Sequence, residues 1–371
     1  MVTTEVLSEE AALETIGVDW DELVRSMPRP SPFLLHDWLL EWWRHYGDGG
    51  RLTVHVARRE GRLVGALPLC RRRRYGLAVT EFVGGSRTPL ADLLLAPGEN
   101  GDTAAGVVGE AMVGDHDFAD LFGMSSRSRL IKSLPEGSLQ LVERLEAPVL
   151  DLSKGWEEIE RSRLSSKARA TRRQRLKKLA KLGPVEITVA RTAEELDPAL
   201  DEAFRLHALR WAGHRETSGF SSPTGQRFHR AAALRLAPLG VPRLLLIRVG
   251  DRAVAYNLYL QLDRMCCGVT MAFDPEYAKY APGTEALLST LEIAATEGVE
   301  RVEFLGAATP YKERLADGAE PIYEGLGLAA TLRGQAAVQA ILNGIRLRRR
   351  LKRSPTARRL YARVPRPGRA A

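Results

Sequence analysis

Between Arg243 and Leu305 the chain reads RLLLIRVGDRAVAYNLYLQLDRMCCGVTMAFDPEYAKYAPGTEALLSTLEIAATEGVERVEFL. Apolar residues run through 243–249, turn at Gly250-Asp251, return through 252–262 and turn again at Asp263-Arg264 before 266–273. Apolar runs separated by such turn residues predict three antiparallel strands in succession. A helix is expected over 284–297, because Leu287, Leu288, Leu291, Ala294 and Ala295 share one face and Gly298 follows as a stop signal. Residues 299–305 then form the next strand. Between the third strand and the helix, Phe273 to Thr284 carries two prolines and Gly283. A helix start of this kind offers backbone N–H groups and the positive end of a dipole to an anion such as a pyrophosphate, with Gly283 permitting close approach and Thr284 available to cap.

The first half repeats the hairpin: Glu60-Gly-Arg-Leu-Val-Gly-Ala-Leu-Pro-Leu69 parallels Gly250-Asp-Arg-Ala-Val-Ala-Tyr-Asn-Leu-Tyr259 position by position. Such internal similarity points to duplication. The first copy lacks the later loop and amphipathic helix and offers Gly84-Gly85-Ser86 and Asp92 to Leu95 instead. The predicted fold is α/β with two related units in tandem, each a mixed, mostly antiparallel sheet flanked by helices. The expected divisions are a degenerate unit over 1–150, a basic linking helix over 151–183, a working unit over 184–332, and a basic helix with a flexible tail over 333–371. The linking helix is marked by ten Lys or Arg and no acid between Arg161 and Lys181, with Ile159, Leu176, Leu179 and Leu182 as its apolar stripe and Gly183-Pro184 as its end.

A chain of 371 residues with 44% hydrophobic and 27% charged residues suits a two-domain soluble protein. The first residues carry several acids and no basic-then-apolar segment, so no secretory signal is read, and no apolar run reaches membrane-spanning length. A cytoplasmic protein is expected. Three cysteines, Cys70, Cys266 and Cys267, leave one unpaired in any disulfide scheme and are read as thiols. The seven scattered histidines show no ligand spacing, so no metal is expected. No Gly-x-Ser-x-Gly elbow occurs, which argues for direct attack by an acceptor over a covalent enzyme intermediate. Eleven Lys or Arg between Arg346 and Arg369 predict peripheral attraction to an anionic membrane surface.

The order of three antiparallel strands, glycine-containing loop, helix and strand is similar to the core of GNAT acyltransferases. Arg210-Trp211, the Tyr277 to Gly283 loop, Glu303-Phe-Leu-Gly306 and Tyr311-Lys312 resemble the CelD-like acetyltransferase family of the cellulose-biosynthesis type over roughly residues 150–330. The basic segment from Leu164 to Lys181 resembles the one that precedes that domain. Fem-type transferases, which have two such halves and move an amino acid from aminoacyl-tRNA, are related. The usual GNAT donor signature, Gln or Arg-x-x-Gly-x-Gly or Ala, is only approximated here.

The resemblance implies an acyl-CoA donor, acetyl-CoA foremost, contacted by Tyr277, Lys279, Ala281, Gly283 and Thr284. It places the functional residue at Lys312, whose cation suits an oxyanion; Tyr311 suits a leaving thiolate or alcohol, and Glu303 an ammonium acceptor that must lose a proton. Arg210, Trp211, His229, Asn257 and Asp274 are the residues expected at the acceptor, an amine or hydroxyl of a metabolite or cell-envelope precursor. Two rivals remain open. In a Fem-type transferase the basic helix would meet tRNA phosphates; in a non-catalytic envelope-assembly protein the basic tail would sit on the membrane.

Overall fold

A computed structural model describes residues 2–99, 101–112, 115–212, 219–306 and 309–353. In chain order the first half contains β1 (Val2–Leu7), α1 (Glu10–Glu14), α2 (Gly17–Ser26), α3 (His36–Tyr46), β2 (Arg51–Arg59), β3 (Arg62–Arg74), β4 (Leu77–Phe82), β5 (Leu94–Leu95), α4 (Gly101–Met112), β6 (Phe118–Ser125), α5 (Arg129–Ser133) and β7 (Leu139–Asp151). Two helices, α6 (Trp156–Arg163) and α7 (Ser166–Leu179), lead to the second half. It comprises β8 (Val185–Ala190), α8 (Ala193–Trp211), α9 (Pro223–Leu236), β9 (Pro242–Val249), β10 (Arg252–Leu262), β11 (Met265–Phe273), α10 (Pro282–Thr296), β12 (Arg301–Glu303), α11 (Pro310–Leu315), β13 (Gly318–Gly327) and α12 (Leu332–Arg353).

All the strands join one sheet in the order β1-β2-β3-β4-β6-β13-β7-β12-β11-β10-β9-β8, with β5 added to β3. Read inward from either edge, the sequence of pairings is the same. Three antiparallel steps lead to one parallel step, β4 with β6 and β11 with β12, and the centre is the antiparallel pair β13 and β7. The molecule is thus a tandem of two related units about a pseudo-twofold axis, and the matching hairpins at Glu60-Gly61 and Gly250-Asp251 occupy equivalent places. Each half lends its last strand to the other: β7 pairs with β12, and β13 pairs with β6.

The basic segment differs from its expected form. It is two helices and not one, because Ser165 accepts the Ala168 N–H at 3.2 Å and caps a new helix. Ile159 and Leu179 are buried, but Leu182 is 55% exposed and outside the stripe. β12 is shorter than the predicted 299–305 strand, for a reason that matters below. No helix among the described residues is long and apolar enough to cross a membrane. Most of the basic tail, from residue 354 on, lies outside the described residues.

Candidate active site

The parallel pairing of β11 and β12 runs from Met265 opposite Arg301 to Cys267 opposite Glu303 and then ends, although β11 continues to Phe273. The next residues are Gly268 and Phe304. A Cβ built on Gly268 would lie 3.1 Å from the Phe304 carbonyl oxygen, so glycine permits the last close approach before the strands part. Beyond it, Leu305 and Gly306 both adopt the left-handed conformation, with φ of 48° and 62°, and turn the chain away. Such conformations are costly for a residue like leucine and persist where the surroundings hold them.

The parted strands leave a gap that opens into a cavity on each face. The inner cavity, about 160 Å³, is lined by Asn257, Met271, Thr290, Phe304, Tyr311 and Lys312 among others. The outer cavity, about 250 Å³, is lined by Phe33, Trp38, Arg87, Phe122 and His229. Gly268, Val269, Thr270, Leu305 and Gly306 border both. A third and larger groove of about 500 Å³ lies between α7 and the start of α10, and Tyr311 and Leu287 belong to both this groove and the inner cavity.

Lys312 sits at the gap. Its Nζ donates to the carbonyl oxygens of Leu305 at 2.7 Å and Phe304 at 3.3 Å, using two of its three N–H groups among the described residues. Burial pulls its ammonium down to about 8, so most of the population is charged at neutral pH. The Tyr311 hydroxyl points toward Met271 Sδ at 3.7 Å, and burial raises its pKa. Asn257 is buried and donates to Thr290 Oγ1 at 2.9 Å, which gives the polar amide expected on this strand its partner.

His229 is nine-tenths buried between Phe220, Phe228 and Trp38. Its Nδ1 lies 2.7 Å from the Gly225 carbonyl oxygen, which can only accept, so Nδ1 carries the proton and Nε2 is the basic nitrogen. Burial pushes its pKa down to about 4 and keeps the ring neutral.

Several expected residues stand elsewhere. Glu303 alternates away from Val302 and Phe304 and does not line the gap. Its buried carboxylate accepts from Arg301 at 2.7 Å and Arg29 at 3.0 Å, so it is engaged in an ion-pair cluster. Asp274 caps the turn at Glu276 and pairs with Arg252 at 2.6 Å. Arg210 lies over Phe273 and Trp211, and Trp211 stacks on His207; neither borders the cavities.

The loop residues divide. Ala281 and Thr284 line the large groove, whereas Tyr277 and Lys279 brace the turn through Arg252 and Tyr280. Gly283 is present for packing: a Cβ there would come within 2.7 Å of Phe273 Cδ1. The helix caps through Ala281 and not Thr284, and the N–H groups of Thr284 and Glu285 both donate to the Ala281 oxygen. Fewer amides are therefore available to an anion than the sequence suggests. Lys167, Arg175 and Arg314 line the groove and supply positive charge in their place, while Arg172 is held by Glu285 at 2.8 Å. The first-half residues Trp38 and Arg87 left no local signal in the sequence. Among the described residues no group of His, Cys, Asp or Glu could hold a metal.

The gap between β11 and β12 is thus bordered by a cavity on each face, with Lys312 beside it. Residues 166–313 match the acetyltransferase (GNAT) domain. The matched stretch begins in α7, takes in most of the large groove and ends one residue past Lys312. No curated protein matches the chain by sequence. Among solved structures, FemX is similar at a TM-score of 0.60 and 11% identity, over 87% of this chain and 96% of that one. The C-terminal domain of a lysylphosphatidylglycerol synthetase from Agrobacterium fabrum follows at 0.57 and 13%, over 91% and 97%. L-PGS from Bacillus licheniformis gives 0.52 and 10%, over 82% and 95%. At these identities the likeness is one of fold.

Proposed function

We propose that this GNAT chain, of the CelD-like branch, moves an acyl group from an acyl-CoA donor, acetyl-CoA foremost, to an amine or hydroxyl of a metabolite or envelope precursor. The observation that carries the reading is the meeting of two cavities across the β11 and β12 gap, with Tyr311 and Lys312 beside it. The residues fit such a donor: Lys167, Arg175 and Arg314 offer charge to its phosphates at the start of α10, and Tyr311 joins that groove to the inner cavity. When bound, the donor supplies an activated carbonyl.

The chain's own residues then do the rest. Trp38, Phe122 and His229 hold the acceptor in the outer cavity, and Gly268 leaves room for its nucleophile to reach through the gap. His229 Nε2 takes the nucleophile's proton. Lys312 offers its remaining N–H to the oxyanion, and the Tyr311 hydroxyl gives a proton to the departing thiolate. The counterpart space in the first half is packed with Phe82, Leu93, Leu95, Leu121 and Met124, which supports assigning the transfer to the gap of the second half.

A Fem-type donor is the second reading, favoured by the cations of α7 along the groove. Native mass spectrometry against acetyl-CoA and aminoacyl-tRNA separates the two. Retention of CoA that is lost in Arg175→Gln with Arg314→Gln supports the first reading, and retention of tRNA alone overturns it.

A further inference from the structure

A separate cleft of about 250 Å³ lies on the first half, lined by Arg29, Arg127, Arg129 and Lys132. Asp92 is on its wall, but that carboxylate is spent. It accepts from Ser128 Oγ at 2.7 Å and from the backbone N–H groups of Leu93, Arg129 and Leu130 at 2.9 Å. Glu320 pairs with Arg29 at 3.2 Å and with Arg127 at 3.4 Å. Arg129 and Lys132 make no ion pair among the described residues, so the cleft keeps an excess of positive charge. The same wall carries Ser31, which is only 3% exposed and whose Oγ has no hydrogen-bond partner among the described residues.

A buried hydroxyl left unpaired costs stability, and a hydroxyl beside unneutralised cations has one ligand chemistry that satisfies all of them, an oxyanion. We propose that this cleft binds a phosphate group, with Lys132 and Arg129 supplying charge and Ser31 donating its hydroxyl proton. Leu34 and Leu90 on its wall directly follow Phe33 and Pro89 on the wall of the outer cavity. The phosphate therefore belongs either to the acceptor itself or to a free anion bound next to it. Only the first of these rests on the acyl-transfer reading.

The test is calorimetry of the full chain with inorganic phosphate. Lys132→Gln should weaken binding about tenfold, the loss of one charged hydrogen bond. Ser31→Ala should also weaken it while leaving the melting temperature unchanged or higher, an outcome that a merely structural serine would not give. Arg175→Gln, in the donor groove, should leave the cleft's phosphate affinity intact and weaken CoA instead. Wild-type protein that takes up no phosphate, or cleft variants that bind as wild type does, would overturn the proposal. If CoA binds to no form, the donor reading falls and the phosphate result stands by itself. Glucosamine 6-phosphate binding more tightly than both glucosamine and phosphate would assign the anion to the acceptor; binding equal to phosphate would assign a free anion.

Discussion

Replacing Gly268 by alanine would put a Cβ 3.1 Å from the Phe304 carbonyl oxygen, a few tenths of an ångström inside ordinary contact. The strands are already parting there, so β11 can yield, and a single overpacked methyl costs about 1–3 kcal/mol. For a two-domain chain this lowers the melting temperature by only a few degrees. The effect on transfer should be much larger. Gly268 borders both cavities, and a shift of about 1 Å in reacting geometry costs about a hundredfold in rate. The large groove does not include Gly268, so CoA affinity should stay at the wild-type value. Thiol release from acetyl-CoA in the presence of an acceptor amine gives turnover, calorimetry gives donor affinity, and a thermal melt gives folding. Turnover within threefold of wild type in a folded Gly268→Ala protein would refute the idea that chemistry passes through this gap.

Lys312→Ala should lose about a hundredfold to a thousandfold in turnover while keeping CoA affinity, and Lys312→Arg should recover only part, since a guanidinium is broader and planar. Because the Lys312 ammonium is held down to about 8, it is charged below that pH and neutral above it; turnover should fall as pH rises through about 8, and a pH profile without that limb would count against the lysine. Gly283→Val should reduce stability, seen as a lower melting temperature, because its Cβ meets the Phe273 ring; a folded variant that has lost only CoA binding would restore the phosphate-loop role. Glu303→Gln should destabilise by about 1–2 kcal/mol, because Arg29 and Arg301 lose one charged hydrogen-bond partner but keep Glu320, yet leave the turnover of folded protein near wild type.

The strands of the second half were legible because Gly250-Asp251 and Asp263-Arg264 punctuate apolar runs, and α10 because its leucines keep one face. The partner that Asn257 requires was legible from a polar amide in an apolar run, whereas Lys312, flanked by Tyr311, Glu313 and Arg314, is marked by the family resemblance alone. The surroundings of Glu303 were not legible, because sequence shows a carboxylate but not the two arginines that enclose it, one of which is 274 residues away in Arg29. The packing of Gly283 was not legible, because its neighbour Phe273 is brought to it by the turn and not by spacing. Trp38 and Arg87 could not be found at all, since only the packing of α3 against α9, and the cavity that the loop after β4 shares with β11, bring them to the second half's site.

The exchange of β7 and β13 also bears on how the chain reaches this state. β6 acquires its second neighbour only from β13, which begins at Gly318, so the first half leaves the ribosome with an open strand edge and must wait for some two hundred further residues before that edge is covered. Pairings this distant in sequence are slow to form. A fragment ending near residue 150 should accordingly aggregate through β6, and cooperative unfolding of the two halves together, in one calorimetric transition, is what the shared centre of the sheet demands.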